Sequence, residues 1–344
     1  MNYILFIIFQ VLLIFLLNKI FIQKKIFIDK KELIHKSFIS SDPVPITGGF
    51  LIIINMLFVN NNYLSNIFFL IIFFFGILSD LLVIESPKKK IFFQFLIVIF
   101  FLLSLNISVI STKIFFIDFF IENKIFAILF TTFCMLILIN GSNFLDGVNT
   151  LVCGYYILVV SVILYIGHYN TINYNFLDYY YLLLSLLVIF IFNFFSKTYL
   201  GDSGTFLLSF VIGYYLINLC NNNLYLTKYI SPIFVLLLLW YPAFENLFSI
   251  IRKILSKKRP SEPDNFHLHH LFFNYLKQRM KNKKITNTFS GIMINFYNLL
   301  IFLLAANFYN QTNFLSFLIA INIFVYISFY YFLLKNNKQI SFPF

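Results

Sequence analysis

Charge is scarce in this chain. Only 13 Asp and Glu and 25 Lys and Arg are spread over 344 residues, while 60% of the chain is hydrophobic and the mean hydropathy is +0.88. A water-soluble domain of this length cannot present so little polar surface, so that class is excluded. Cysteine is scarce too. Cys134, Cys153 and Cys220 lie in or beside apolar runs at unrelated spacings, which supplies neither a disulfide framework nor a zinc site. Met1 to Ile22 lacks a basic leader and a small-residue cleavage site, and Lys24 and Lys25 follow its apolar run. It reads as a retained helix with its N-terminus outside rather than a signal peptide. No internal repeat is present, which counts against transporters built from duplicated halves. The formal charge of +12 comes with no nucleic-acid-binding motif, so no nucleic-acid partner is expected.

Long apolar runs are what the chain does have. A spanning helix needs about 20 mostly apolar residues. Eleven candidates occur, at 2–22, 46–60, 65–83, 91–110, 124–140, 150–167, 178–195, 204–220, 230–250, 289–308 and 314–334. The expected fold is an all-α polytopic integral membrane protein of about 11 transmembrane helices, N-terminus outside and C-terminus cytoplasmic. In that orientation every Lys and Arg except Lys113, Lys124 and Lys228 falls on the cytoplasmic side. That is the positive-inside bias, and it explains the net charge. Residues 1–344 are read as one membrane-embedded domain, with cytoplasmic loops near 23–45, 79–90, 140–150, 196–204 and 252–288.

Four carboxylates, Asp80, Asp146, Asp202 and Glu245, border apolar segments, and the threading puts all four on the cytoplasmic side. Ionisable groups at a membrane are expensive to desolvate and mark function by default. Around them lie five constellations. Gly48-Gly49, at a helix start, suits close approach of backbone amides to an anion, although paired glycines also serve packing. Asp80 is followed by Lys88, Lys89 and Lys90; these lysines anchor the helix against lipid headgroups, and Lys88 is the candidate for an anionic substrate. Asn140, Asn143 and Asp146, three apart, share a helix face offering donors and acceptors. Asp202, flanked by Gly201 and Gly204, suits a hard cation, or a simple helix cap. His267, His269 and His270 have no nearby Cys and basic flanks, so they suit phosphate oxygens better than zinc. Carboxylates for Mg²⁺, imidazole and ammonium donors for phosphates, and amides for a polar ligand together describe phosphoryl chemistry beside lipid.

In this order, the motifs Asn140 to Gly147, Gly201-Asp202-Ser203-Gly204, Tyr241 to Glu245 followed by Arg252-Lys253, and His267-Leu268-His269-His270 resemble a known family. It is the polyprenyl-phosphate N-acetylhexosamine-1-phosphate transferases, which start O-antigen, enterobacterial common antigen and teichoic acid linkage units. The resemblance implies transfer of a sugar-1-phosphate from a UDP-HexNAc, typically UDP-GlcNAc, to undecaprenyl phosphate with release of UMP, using Mg²⁺ or Mn²⁺. It further implies Asp202 as metal ligand and Asp80 as base or ligand at the acceptor phosphate. Asp146 and Asn143 would organise the metal or nucleotide end, and His267, His269 and His270 would contact the sugar nucleotide. The implied setting is the bacterial inner membrane with the site facing the cytoplasm; a homodimer is compatible with it. Three departures stand out. Ser79 replaces the first member of an acidic pair, Asn149 and Glu245 stand where many members carry Asp, and Lys36 is the nearest candidate for a basic residue before Gly48. Ser79 keeps a catalytically impaired relative as one alternative, and a lipid or sugar transporter is the other.

Overall fold

The computed structural model describes residues 3–28, 43–169, 176–223, 230–259, 262 and 264–337. Lys30, Lys31, Lys36, Lys228 and Lys338, used above for orientation, lie outside the described residues. Among the described residues there are fourteen helices and no strand. They are α1 (Tyr3–Lys24), α2 (Gly48–Val59), α3 (Tyr63–Asp80), α4 (Pro87–Leu105), α5 (Phe115–Ile121), α6 (Lys124–Leu145) and α7 (Leu151–Tyr169). Then follow α8 (Leu177–Phe194), α9 (Gly201–Asn223), α10 (Pro232–Leu238), α11 (Trp240–Leu255), α12 (Leu268–Lys277), α13 (Lys283–Ala306) and α14 (Thr312–Asn336). Polar residues mark the starts. The Asn62, Asn123 and Asn282 side chains accept from first-turn amides of α3, α6 and α13, satisfying donors that have no partner within the helix. Pro87 and Pro232 sit in the first turns of α4 and α10, where a missing N–H costs nothing.

Each of the eleven apolar runs is helical, yet among the described residues eight helices are long and apolar enough to cross a membrane: α1, α3, α6, α7, α8, α9, α13 and α14. The difference from eleven has three physical sources. α2 has 12 residues, about 18 Å of helix against a hydrocarbon core of about 30 Å. α4 spends its first turn on Lys88, Lys89 and Lys90. The run 230–250 is broken into α10 and α11, bent by 71°, and would make a ninth span if counted as one. The short helices α5 and α12 carry no apolar run of spanning length and were not anticipated.

The bundle is built around α9, whose apolar window is 89% buried although the helix contains Gly, Ser, Thr and Asn throughout. α2, α3 and α6 pack against it, α7 is held between α8 and α13, and α11 lies on α6. α1, with 22% of its window buried, is peripheral and turns Ile4, Leu12 and Phe15 outward. Lipid-facing helices need no polar face, because lipid tails are as apolar as leucine. Close helix approach depends on missing side chains. A Cβ on Gly76 would lie 2.3 Å from Ser203 Cα, and one on Gly49 would lie 2.8 Å from the Gly204 nitrogen. Glycine at both places lets α3 and α2 reach the first turn of α9, which is how the end of α3 comes to meet Asp202.

Candidate active site

The first turn of α9 is the centre of the site. Gly201 has φ +68°, and a Cβ there would lie 2.8 Å from both carboxylate oxygens of Asp80. Only glycine takes this conformation cheaply and leaves that room. The turn aims two backbone amides at α3: Asp202 N–H donates to Asp80 Oδ1 (2.8 Å) and Ser203 N–H to Asp80 Oδ2 (3.0 Å). Asp80 therefore caps α9 from a different helix, with its negative charge at the positive end of the helix dipole. The Asp202 side chain sits between α3 and α4. Its Oδ2 accepts from Lys90 Nζ at 2.9 Å and from the Ser79 hydroxyl. Lys88, singled out from the sequence, is exposed instead.

The amide-rich end of α6 joins this turn. Thr205 donates its hydroxyl to Asn143 Oδ1 (3.3 Å), one helical turn along α9 from Asp202. Asn140 Nδ2 donates to Gln94 Oε1 (3.0 Å) and to the Leu136 carbonyl (2.9 Å). Asp146 closes α6, and Gly147 follows it. A Cβ on Gly147 would meet His270 Cε1 at 2.5 Å and His269 Nε2 at 3.2 Å. The Asn–Asp end of α6 and the histidine cluster thus abut. Gly48 and Gly49 lie instead in a packing seam: the Gly48 amide donates to the Tyr199 carbonyl (3.1 Å), and both glycines are buried against the start of α9.

The three histidines are held differently. His267 Nδ1 donates to Glu245 Oε1 (2.9 Å), and its Nε2 faces Asp264 Oδ1 at 3.7 Å. Asp264 in turn receives two bonds from Arg252, at 2.8 and 3.1 Å. Burial alone would raise the Asp264 pKa, but the Arg252 hydrogen bonds and the charge of His267 hold it below the ordinary carboxylate value. His269 is fully buried, and among the described residues neither ring nitrogen has a hydrogen-bond partner; the Phe144 backbone is close enough to act on it, but outside bonding geometry. A buried histidine with both nitrogens unpartnered is expensive and is suited to receive a polar ligand. Burial, followed by its two histidine neighbours, pushes its pKa well below 6.5. The unfolded chain then takes up the proton first, so this contribution to stability is complete above about pH 6.5 and shrinks as pH falls below it. Melting in detergent between pH 7.5 and 5.5 is expected to show that decline, and His269→Gln to flatten it. An unchanged slope would remove His269 from the acid response.

Sequence reasoning missed Lys90, Glu245's partner Tyr326 on α14 (2.6 Å) and the Arg252–Asp264 pair. A signal for Lys90 was present: Gln94, a polar residue inside the apolar run of α4, lies one turn further along the same face, and the structure buries it fully.

Fold and site together define a polytopic helical protein that gathers carboxylates, amides, a lysine and histidines at one end of its bundle. The family model described as Glycosyl transferase family 4 matches residues 63–220. Over that segment, α3 to α9, the chain is similar to that family. It is 28% identical over 116 residues to the undecaprenyl-phosphate alpha-N-acetylglucosaminyl 1-phosphate transferase of Thermotoga maritima; the alignment covers 32% of this chain and 36% of that protein. It is 33% identical over 86 residues to a probable undecaprenyl-phosphate N-acetylglucosaminyl 1-phosphate transferase of Bacillus subtilis, covering 25% and 23%. The chain thus spans about a third and a quarter of these curated relatives. Asp80, Lys90, Asn140, Asn143, Asp146 and Asp202 fall within the family match, whereas Glu245 and the histidines lie beyond it.

Proposed function

We propose that this protein transfers a HexNAc-1-phosphate, most simply GlcNAc-1-phosphate, from a UDP-sugar to undecaprenyl phosphate, releasing UMP and starting a lipid-linked surface polysaccharide. The observation that carries this reading is the Asp80–Asp202–Lys90 arrangement on the first turn of α9, at the end of a bundle of apolar helices. The names of the two relatives support it. The positive-inside bias supports placing this end in the cytoplasm of a bacterial inner membrane.

The donor set suits Mg²⁺ or Mn²⁺. Among the described residues no three His, Cys, Asp or Glu converge into a closed metal cage. Mg²⁺ does not need one, since it is held by one or two carboxylates plus substrate phosphates and waters. The Asp202 carboxylate already attracts a cation, Lys90, and the Ser79 hydroxyl adds a hard oxygen beside it. Asp202 would hold the ion, with Asp80 fixing the turn that presents it, and the bound ion would neutralise pyrophosphate oxygens. Lys90 Nζ, beside the same carboxylate, is placed to pair with a phosphate of either substrate. His269 and His270 face the Asp146-Gly147 turn and take the sugar-nucleotide end. The acceptor phosphate carries close to two negative charges near neutral pH, so it needs positioning more than deprotonation. Its oxygen forms a bond to the sugar-bearing phosphorus, and the P–O bond to UMP breaks, UMP leaving with the bridging oxygen and its electron pair. Asp80, with both oxygens on backbone amides, positions this turn rather than acting as a base.

The test is transfer of label from radiolabelled UDP-GlcNAc to undecaprenyl phosphate by purified protein, with Mg²⁺ and then EDTA. Metal-dependent lipid product with UMP release is expected. Silence with this and other UDP-HexNAc donors would overturn the reading. Ser79 motivates the second reading, an impaired relative. Ser79→Asp adds a carboxylate beside Asp202 and is expected to lower the Mg²⁺ concentration for half-maximal transfer several-fold, with little change in turnover at saturating Mg²⁺. A large gain in turnover would favour the impaired relative instead.

A further inference from the structure

We propose that Tyr326, on the last helix, is a positioning residue for the histidine cluster, acting through Glu245. The inference rests on the transferase reading above and adds a part of the chain outside the matched segment. Glu245 is 1% exposed, and a buried carboxylate is tolerated only when its oxygens are engaged. Three groups engage it. Tyr326 donates its hydroxyl to Oε2 at 2.6 Å, His267 Nδ1 donates to Oε1 at 2.9 Å, and the Leu268 amide donates to the same Oε1 at 3.3 Å. Leu268 opens α12, so Glu245 caps that helix from α11 while holding the ring that precedes it.

The geometry passes this restraint on to the next two histidines. His267 stacks on His269 with centroids 5.5 Å apart, and His269 lies 4.4 Å from His270. Both of these press against Gly147, next to Asp146. Tyr326 has no freedom to swing away: it is 3% exposed, edge-on to Phe244 (4.9 Å) and Phe248 (5.3 Å), and stacked on Tyr330. The Glu245 carboxylate is therefore clamped at one oxygen by α14 and is rigid at the other, where it sets the ring plane of His267. Without the tyrosine hydroxyl, Oε2 is left buried and unpaired. The carboxylate then rotates toward other donors, and the start of α12 turns with it.

Tyr326→Phe keeps the aromatic packing and removes only the hydroxyl. In the full protein it is expected to raise the KM for UDP-GlcNAc about tenfold, as for a lost hydrogen bond to a charged group. The KM for undecaprenyl phosphate should stay within about twofold. A merely structural role would lower the active fraction, reducing kcat with both KM values unchanged, and would overturn the proposal. The second measurement does not need activity: ¹⁵N spectra of labelled histidines, with His267 assigned by its loss in His267→Gln. Tyr326→Phe should shift the His267 Nδ1 resonance, and an unmoved resonance would overturn the positioning claim. If wild-type protein transfers nothing, the functional reading fails by itself, and the histidine spectra still decide whether Tyr326 positions His267.

Discussion

Asp202→Asn is expected to lower sugar-phosphate transfer by about a thousandfold or more, with the protein still folded and inserted. The substitution keeps the shape of the side chain and removes the charge that draws Lys90 to 2.9 Å and accepts the Ser79 hydroxyl. Loss of one preorganised charge-stabilising group costs about 10²–10³ in rate, and Asp202 stands to lose a metal contact as well. Stability should change little. The Lys90 and Asp202 side chains are 23% and 19% exposed, and a pair open to solvent contributes about 1 kcal/mol or less. The backbone of α9 is held by Asp80, which the substitution leaves untouched. Radiolabel transfer and a detergent melt of the same preparation check both halves. Near-normal activity would remove Asp202 as the charged centre.

The contrast between helices and site shows what a one-dimensional pattern carries. Apolar runs found every long helix, because lipid-facing and core positions are both apolar and the signal accumulates over some twenty residues. The span count was less legible, since α2 is apolar but too short and α10–α11 is apolar but bent. In the site, Asp80, Asp146 and Asp202 could be read as carboxylates out of place, and the structure engages Asp80 with Asp202 and sets Gly147 against the histidines. The choice among Lys88, Lys89 and Lys90 is a question of helix face, and the face is marked by buried Gln94, a residue of no obvious chemistry. Gly48 and Gly49 allowed a ligand cradle on paper, although paired glycines more often serve packing, and the proximity of Gly204 places them in a packing seam. Glu245 meets His267 across 22 residues and Tyr326 across 81, separations at which no local pattern pairs residues.

Asp80→Asn is expected to fail in a different way from Asp202→Asn, losing stability and activity together. Each Asp80 oxygen accepts one backbone amide from the first turn of α9. An asparagine has one acceptor oxygen, so whichever way it flips, its NH₂ faces a peptide N–H and one donor is left without a partner. Such a group costs about 1–3 kcal/mol where it is shielded, and losing negative charge at the helix N-terminus costs about 0.3–1 kcal/mol more. The packing that makes this contact tight also blocks repair. Gly76 and Gly201 leave no space for the turn to slide along α3, since a Cβ at Gly76 would already be 2.3 Å from Ser203 Cα. The turn is expected to loosen outward, carrying the Asp202 carboxylate from Lys90 and Ser79 and reducing transfer at least a hundredfold. Paired melts and transfer assays on both variants separate the two roles. A fall in activity with no change in melting temperature would place Asp80 at the substrate itself rather than behind α9. A fall in both, beside an Asp202→Asn protein that melts like wild type, would show that one carboxylate builds the turn and the other uses it.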